Sequence, residues 1–165
     1  MTQKLPIQVR DVRRDDYEAW RVLWDGYNAF YGRWGSTALD PEITRTTWAR
    51  FFDPYEPVHA VVAELNGHLV GLAHYLFHRS TIAIQPVCYL QDLFTSQDAR
   101  GHGVGRALIE AVSAAARRVG CSKTYWQTHE TNAVARALYD HVAENSGFIV
   151  YRIAKNQLPG GAETV

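Results

Sequence analysis

The stretch Arg100-Gly101-His102-Gly103-Val104-Gly105-Arg106 constrains this chain more than any other. It lies between an apolar run that reads as a strand, Pro86 to Thr95, and a run patterned as a helix, with Ala107, Leu108, Ala111, Val112 and Ala115 on its apolar side. Closely spaced glycines let backbone amides approach a ligand that side chains would block. The start of a helix adds unpaired N–H donors and the positive end of the macrodipole. Together these make an anion site suited to a pyrophosphate. Two common pyrophosphate loops are excluded by spacing. The dinucleotide fingerprint needs a third glycine where Arg106 stands and an acid about 20 residues on, where residues 121–125 carry none. The GxxxxGK[ST] loop has no match.

Local charge agrees with a polyanionic ligand. The 165 residues carry 17 Lys+Arg against 17 Asp+Glu, so the chain is formally neutral. From Arg100 to Arg136, however, six basic residues (Arg100, Arg106, Arg117, Arg118, Lys123, Arg136) stand against Glu110 and Glu130 alone. Arg117 and Arg118 read as a solvated helix face. Overall neutrality and the lack of basic–aromatic interleaving argue against a nucleic-acid partner. No run approaches the roughly 20 apolar residues of a membrane span. Met1 to Arg14 alternates charge with isolated apolar residues, unlike a signal peptide. Cys88 and Cys121, with no CxxC, make neither a disulfide framework nor a cysteine zinc site, and read as inert thiols in or beside strands. The histidines show no metal spacing. The expectation is a cytoplasmic protein with no metal and no membrane.

The rest of the chain supplies an α/β framework. Ile7 to Val12 alternates as a strand. Asp15 or Asp16 opens a helix with Trp20, Leu23, Trp24, Tyr27, Phe30 and Tyr31 on one face. Asp40-Pro41 caps a second helix running to about Phe52. Val58 to Leu65 and Leu69 to Phe77 are strands joined at Asn66-Gly67, a strong two-residue hairpin signal. After the glycine loop and its helix, which stops at Gly120, come a strand from Lys123 to Thr128, a helix from Asn132 to about Asn145, and a last strand from Phe148 to Ala154. The order β-α-α-β-β-β-α-β-α-β predicts a mixed sheet, antiparallel in the middle, with helical crossovers in the C-terminal half. One domain, 1–157, is expected, with 158–165 as a flexible tail.

Three stretches, taken in order, resemble the GNAT superfamily of acyl-CoA-dependent N-acetyltransferases. Tyr89-Leu90-Gln91-Asp92-Leu93-Phe94-Thr95 is similar to its central strand, and Arg100-Gly101-His102-Gly103-Val104-Gly105 to its Q/R-x-x-G-x-G/A loop. Asn132-x-x-Ala135-x-x-Leu138-Tyr139, followed by Gly147-Phe148, is similar to its downstream helix and strand. Within the family the chain looks most like the yeast histone and polyamine acetyltransferases, through Trp20-x-x-Leu23-Trp24-x-x-Tyr27, Phe51-Phe52-Asp53-Pro54 and Tyr125-Trp126.

The resemblance implies acetyl-CoA as cofactor and direct attack of an amine on its thioester. The central strand would splay from its neighbour, leaving the main chain of Leu93, Phe94 and Thr95 to the pantetheine arm, with the Leu93 amide supporting the oxyanion. Arg100, Gly101, His102, Gly103, Val104, Gly105 and Arg106 would hold the pyrophosphate. Tyr139 is the implied general acid. A phenol near pKa 10 can protonate a thiolate whose thiol sits near 8.5. Asn132 shares its helix face seven residues away and is also a natural N-cap. For the general base, Asp92 lies beside the reacting centre, with Glu130 or His129, through water, as alternatives. Gln91 stands where the polyamine pattern has a glutamate, and simple strand alternation puts it on the face opposite Asp92.

In this family the first helices cover the acceptor. Here they carry Trp24, Tyr27, Phe30, Tyr31, Trp34 and Trp48, an aromatic stripe that suits a core as well as a pocket. Trp24, Tyr27, Tyr31, Gln91 and Glu130 are the candidate acceptor residues. Met1 to Ala60 holds nine acidic and eight basic residues, no field for a basic peptide, which favours a small-molecule amine. A non-catalytic acyl-CoA sensor and a protein N-acetyltransferase of the lysine or histone type share the same motifs. The resemblance also implies a homodimer.

Overall fold

A computed structural model describes residues 6–154. The chain divides into two compact units between Thr131 and Asn132. The expected tail, 158–165, lies outside the described residues.

The first unit is a five-stranded sheet in the order β1-β2-β3-β4-β5, formed by β1 (Gln8–Asp11), β2 (Val58–Leu65), β3 (His68–His78), β4 (Val87–Thr95) and β5 (Thr124–Tyr125). All neighbours are antiparallel except β4 and β5, which are parallel, so the mixed α/β sheet has the expected hands. Asn66 and Gly67 both take positive φ, 56° and 77°, as a two-residue hairpin between β2 and β3 demands.

Two helical layers cover the sheet. On one face lie α1 (Tyr17–Phe30) and α2 (Pro41–Arg50), with Trp20, Leu23, Trp24 and Tyr27 buried together with Val62 and Leu72 of the strands. Asp40 caps α2 by accepting from the Glu42 amide at 2.8 Å, with Pro41 at the first helical position. Asp16 precedes α1 and is bound by both guanidinium nitrogens of Arg10, at 2.7 and 2.9 Å, and by the Arg13 amide at 2.7 Å. On the other face lies α3 (Val104–Arg118), burying Val104, Leu108, Ile109, Val112, Ala115 and Ala116. Its seat depends on Gly71 of β3. A Cβ there would fall 2.8 Å from Val104 Cγ1 and 3.0 Å from Leu108 Cδ1. The missing side chain lets the first turn of α3 rest directly on the sheet, which fixes where the glycine loop stands.

The second unit holds α4 (Ala133–Val142), shorter than the expected Asn132 to Asn145. Two strand expectations are corrected. Residues 123–128 form a ladder only over Thr124–Tyr125. Residues 143–154 carry no regular element, so the expected last strand, Phe148 to Ala154, is absent from the structure. Strand propensity reflects fit to a pleated, packed surface more than an intrinsic backbone preference, so alternation alone does not secure a regular ladder.

Candidate active site

The glycine loop stands where β4 hands over to α3. Gly101 and Gly103 take φ of +76° and +90°, and a Cβ at either would meet nothing within 4 Å, so the cradle is open. The first helical bond of α3 runs from the Ala107 amide to the Gly103 carbonyl at 3.0 Å. The amides of Val104, Gly105 and Arg106 therefore precede the ladder and are available to an anion. Arg100 turns its Nε to the Thr95 carbonyl at 3.4 Å, tying the loop to the end of β4, and His102 Nδ1 lies 2.9 Å from the Arg100 carbonyl. Left-handed glycines, an open cradle and free first-turn amides fit a pyrophosphate.

Beside the loop, β4 has two unlike edges. On one it pairs with β3 from Val87 to Thr95. On the other it pairs with β5 only at Cys88 and Tyr89. Among the described residues no strand pairs with the second edge from Gln91 to Thr95, so on that side the backbone of Leu93, Phe94 and Thr95 is not used by the sheet.

The β3–β4 ladder contains a bulge. Tyr75 faces Leu90 and His74 faces Asp92, so Gln91 is the extra residue. Residues directly opposite share a face. Before the bulge Tyr89 lies on the α1 side, and Cys88 and Leu90 on the α3 side. After it Asp92 and Phe94 lie on the α1 side, and Leu93 and Thr95 on the α3 side. Uninterrupted alternation would have put Tyr89 and Asp92 on opposite faces. The bulge sets them on the same one. Gln91 itself is exposed.

Asp92 is half-hidden under α1, with 11% of its side chain exposed. Its Oδ2 lies 2.9 Å from Nδ1 of His74, a histidine 2% exposed. Nε2 of that histidine receives the indole N–H of Trp20 at 3.0 Å. The Tyr27 phenol approaches the same carboxylate. Burial first, then the negative charge and hydrogen bonding of Asp92, push that phenol far above its ordinary range, so it stays protonated. Tyr89, on the same side by register, is also raised, by burial and then by Tyr125, Asp92 and Tyr31.

The aromatic candidates separate by burial. Trp24 is 7% exposed, lies between Trp20 and Tyr27 in near-parallel stacks at 5.8 and 5.4 Å, and gives its N–H to Thr44 Oγ1 at 3.2 Å, so it belongs to the core. Tyr27 is 9% exposed and bridges core and carboxylate. Tyr31 is 45% exposed and packs edge-on against Tyr27, with the Arg33 guanidinium over both rings. Tyr89 and His74 were not singled out by sequence. Tyr89 pairs with Tyr125 at 4.9 Å between centroids, and the Tyr125 hydroxyl lies 3.1 Å from His78 Nε2. Glu130 lies in the exposed turn after β5, and the neighbouring His129 is engaged through Nδ1 with Thr131. Cys88 is wholly buried, and burial pushes its thiol up to about 11, so it stays protonated and inert.

In the second unit Asn132 caps α4, its Oδ1 accepting from the Ala135 amide at 3.4 Å. Tyr139 lies two turns further along the same helix.

The chain matches the Acetyltransferase (GNAT) family over residues 14–143, a span that includes β4, the glycine loop and α4. It is 36% identical over 148 residues to the D-amino-acid N-acetyltransferase HPA3 of Saccharomyces cerevisiae, covering 88% of this chain and 89% of that protein. It is 27% identical over 147 residues to the N-acetyltransferase YhfO of Bacillus subtilis, covering 88% and 95%. Among solved structures it is similar to AAC(6')-Iy in complex with the bisubstrate analog CoA-S-monomethyl-acetylneamine, at 17% identity and TM-score 0.76 over 91% of this chain and 99% of that one. It is also similar to the ribosomal-protein-alanine N-acetyltransferase of Brucella melitensis, at 17% identity and TM-score 0.72 over 90% and 99%. At that identity the likeness speaks for the fold, while the family match and the yeast relative speak for descent. The chain belongs to the GNAT family of acetyltransferases, whose acyl donor is acetyl-CoA.

Proposed function

We propose that the protein transfers an acetyl group from acetyl-CoA to the primary amine of a small molecule, an amino acid or a compound of similar size. The observation that carries the reading is the position of Asp92, a carboxylate on the aromatic-walled α1 face of β4, on the stretch of strand whose other edge is open. The yeast relative, a D-amino-acid N-acetyltransferase, supports an acceptor of this size.

Acetyl-CoA supplies the activated thioester. The amides of the glycine loop bind its pyrophosphate, and the free edge of β4 at Leu93 to Thr95 orients its arm. An ammonium acceptor must lose a proton before its nitrogen can attack, and the Asp92 carboxylate takes that proton. The nitrogen lone pair forms the new N–C bond as the C–S bond breaks. The departing thiolate would take a proton from the Tyr139 phenol, and the phenolate would recover the second proton that the acylated nitrogen must release. The family pattern Asn132-x-x-Ala135-x-x-Leu138-Tyr139 supports this role. Tyr31, Tyr89 and Gln91 line the acceptor side, with Tyr27 behind them. Glu130, in the exposed turn after β5, contributes to acceptor binding. The proposal takes 1–157 as one acetyltransferase domain, which the family match across both units supports. A homodimer, on the family resemblance, and a cytoplasmic location, on the sequence's lack of a disulfide framework, complete it. Among the described residues no helix is long and apolar enough to cross a membrane.

The test is an acetyl-transfer assay with free-thiol detection across D- and L-amino acids, polyamines, aminoglycosides and a lysine peptide. Turnover of a small amine well above hydrolysis is expected, with the peptide a poor acceptor. Tight acetyl-CoA binding with no turnover of any amine would overturn the reading in favour of a binding module.

A further inference from the structure

We propose that His74 is a positioning residue for the transfer reaction, holding the Asp92 carboxylate in the orientation that receives the acceptor's proton, with Trp20 fixing the tautomer of His74. This rests on the reading of Asp92 as general base. The three side chains come from three elements, α1, β3 and β4, and form one line of hydrogen bonds.

The direction of each bond follows from chemistry. An indole N–H is a donor only. It lies 3.0 Å from His74 Nε2, so that nitrogen accepts and carries no proton. The imidazole proton is then on Nδ1, and Nδ1 lies 2.9 Å from Asp92 Oδ2, so His74 donates to the carboxylate. Rotating the ring by half a turn would break both bonds. The packing opposes such a turn. The ring sits among Phe51 at 4.7 Å, Trp24 at 5.2 Å and Trp20 at 5.9 Å between centroids. The histidine is therefore locked in place, tautomer and orientation together.

A merely structural role explains less. The cage around His74 is aromatic and would pack a leucine or phenylalanine as readily, and a buried polar ring costs free energy unless every polar atom is matched. Here both nitrogens are matched, and one is matched to the carboxylate beside the open edge of β4. The register makes the contact possible, because the Gln91 bulge brings Asp92 directly opposite His74 on the α1 face. A carboxylate offers about four lone-pair directions. His74 takes one on Oδ2 and the Tyr27 phenol approaches the same group, which together fix its plane and leave the remaining directions to an incoming ammonium.

The test uses the full chain, acetyl-CoA and the best amine from the panel above. His74→Leu is expected to lower kcat by about 10–100-fold, the same order as removing the hydrogen-bond partner that orients a metal-bound ligand. The KM for acetyl-CoA should stay within about twofold, since the glycine loop is untouched. His74→Asn places an amide N–H where Nδ1–H stood and should recover most of the lost kcat, although it also loses the Trp20 bond and melts lower. A packing role predicts the opposite ranking, with leucine the milder change. In the Asp92→Asn background, His74→Leu should cost almost nothing more, because neighbours in one network are non-additive. Should His74→Leu fail to fold, Trp20→Phe removes the indole donor, at some cost in packing against Trp24, Trp48 and Phe51, and should lower kcat by a few-fold with acetyl-CoA binding unchanged. The inference is overturned by an unchanged kcat in His74→Leu (or, if that variant fails to fold, in Trp20→Phe), by equal losses in the leucine and asparagine variants, or by additive effects with Asp92→Asn. An unchanged kcat in Asp92→Asn itself overturns the base assignment as well, whereas a large loss there beside an active His74→Leu overturns only the role of His74.

Discussion

The two edges of β4 do opposite things with the same backbone. Along β3 the strand is paired from end to end, and the one irregularity, the bulge at Gln91, sets a titratable side chain against a locked histidine. Along β5 the ladder stops after Cys88 and Tyr89, leaving main chain beside a glycine loop with open left-handed turns. The first edge specifies a side chain, the second offers a backbone. Proton transfer needs a group fixed to within tenths of an ångström, and a bound, fully paired strand delivers that. Holding a long, flexible donor needs hydrogen-bonding groups not already used by the fold, and an interrupted ladder delivers those.

This division can be broken from either side. The largest effect is expected for Asp92→Asn, which keeps the shape and removes the proton acceptor. Its turnover should fall by about 100-fold or more, while the acetyl-CoA dissociation constant measured by calorimetry changes less than about twofold. A matching loss of donor affinity would show that the two edges are not separate in function. Next comes Gly103→Val. An L-residue at φ +90° is strained by about 1–2 kcal/mol, and more for a β-branched one. If the loop relaxes to relieve that strain, acetyl-CoA affinity should fall by about tenfold or more, with acceptor preference across the panel unchanged. A shift in acceptor preference would count against the division.

Smaller effects probe the frame. At Gly26 a Cβ would fall 2.9 Å from Phe94 Cζ, and the ring it would push shares a face and a strand with Asp92. Gly26→Ala gains about 0.5–1 kcal/mol of helix stability and loses about 1–3 to overpacking. A net loss near 1 kcal/mol by urea titration is expected, with kcat reduced by no more than a few-fold. The smallest change is expected far from β4. Hydrogen bonding to Arg10 first, then its charge, holds the Asp16 carboxyl below the usual carboxylate range. The folded pKa is depressed, so this contribution is complete above the unfolded value near 4 and is lost as the pH falls through the folded value. Asp16→Asn should therefore lower the urea midpoint at pH 7 and change it little at pH 2, with turnover at pH 7 unaltered.

The two edges also differed in how much of them could be read beforehand. The glycine loop is local, a handful of consecutive residues whose spacing states its conformation, so Arg100 to Arg106 were legible at once. The cluster around Asp92 is not local. Trp20 and His74 are 54 residues apart and His74 and Asp92 are 18 apart, joined by a register that one extra residue shifts. Alternation alone gives no sign of that shift, and the spacing of histidines along a sequence speaks only to metal binding, not to a lone ring packed under a helix. The aromatic stripe on α1 was ambiguous for a related reason: Trp24 and Tyr31 have equal claim by helical period, and only the packing of α2 over Trp24 separates core from rim. The last expected strand misled because Phe148 to Ala154 has the composition of a strand, and composition alone does not set a backbone into a regular ladder.

The bulge at Gln91 also acts as a change of reading frame. A strand is written in a two-letter code, one face and the other, and the code normally runs unbroken from end to end. Here it is written in one phase as far as Leu90 and in the opposite phase from Asp92 onward. Pairing Gln91 into the ladder rather than looping it out would restore a single phase. The carboxylate would then be sent toward the apolar underside of α3, and Leu90 and Leu93 would fall on opposite faces. Deleting Gln91 would instead remove the bulge and leave Asp92 opposite His74. The looped-out residue thus acts as punctuation between the two halves of β4, absorbing one position of length so that the Asp92 half keeps its face.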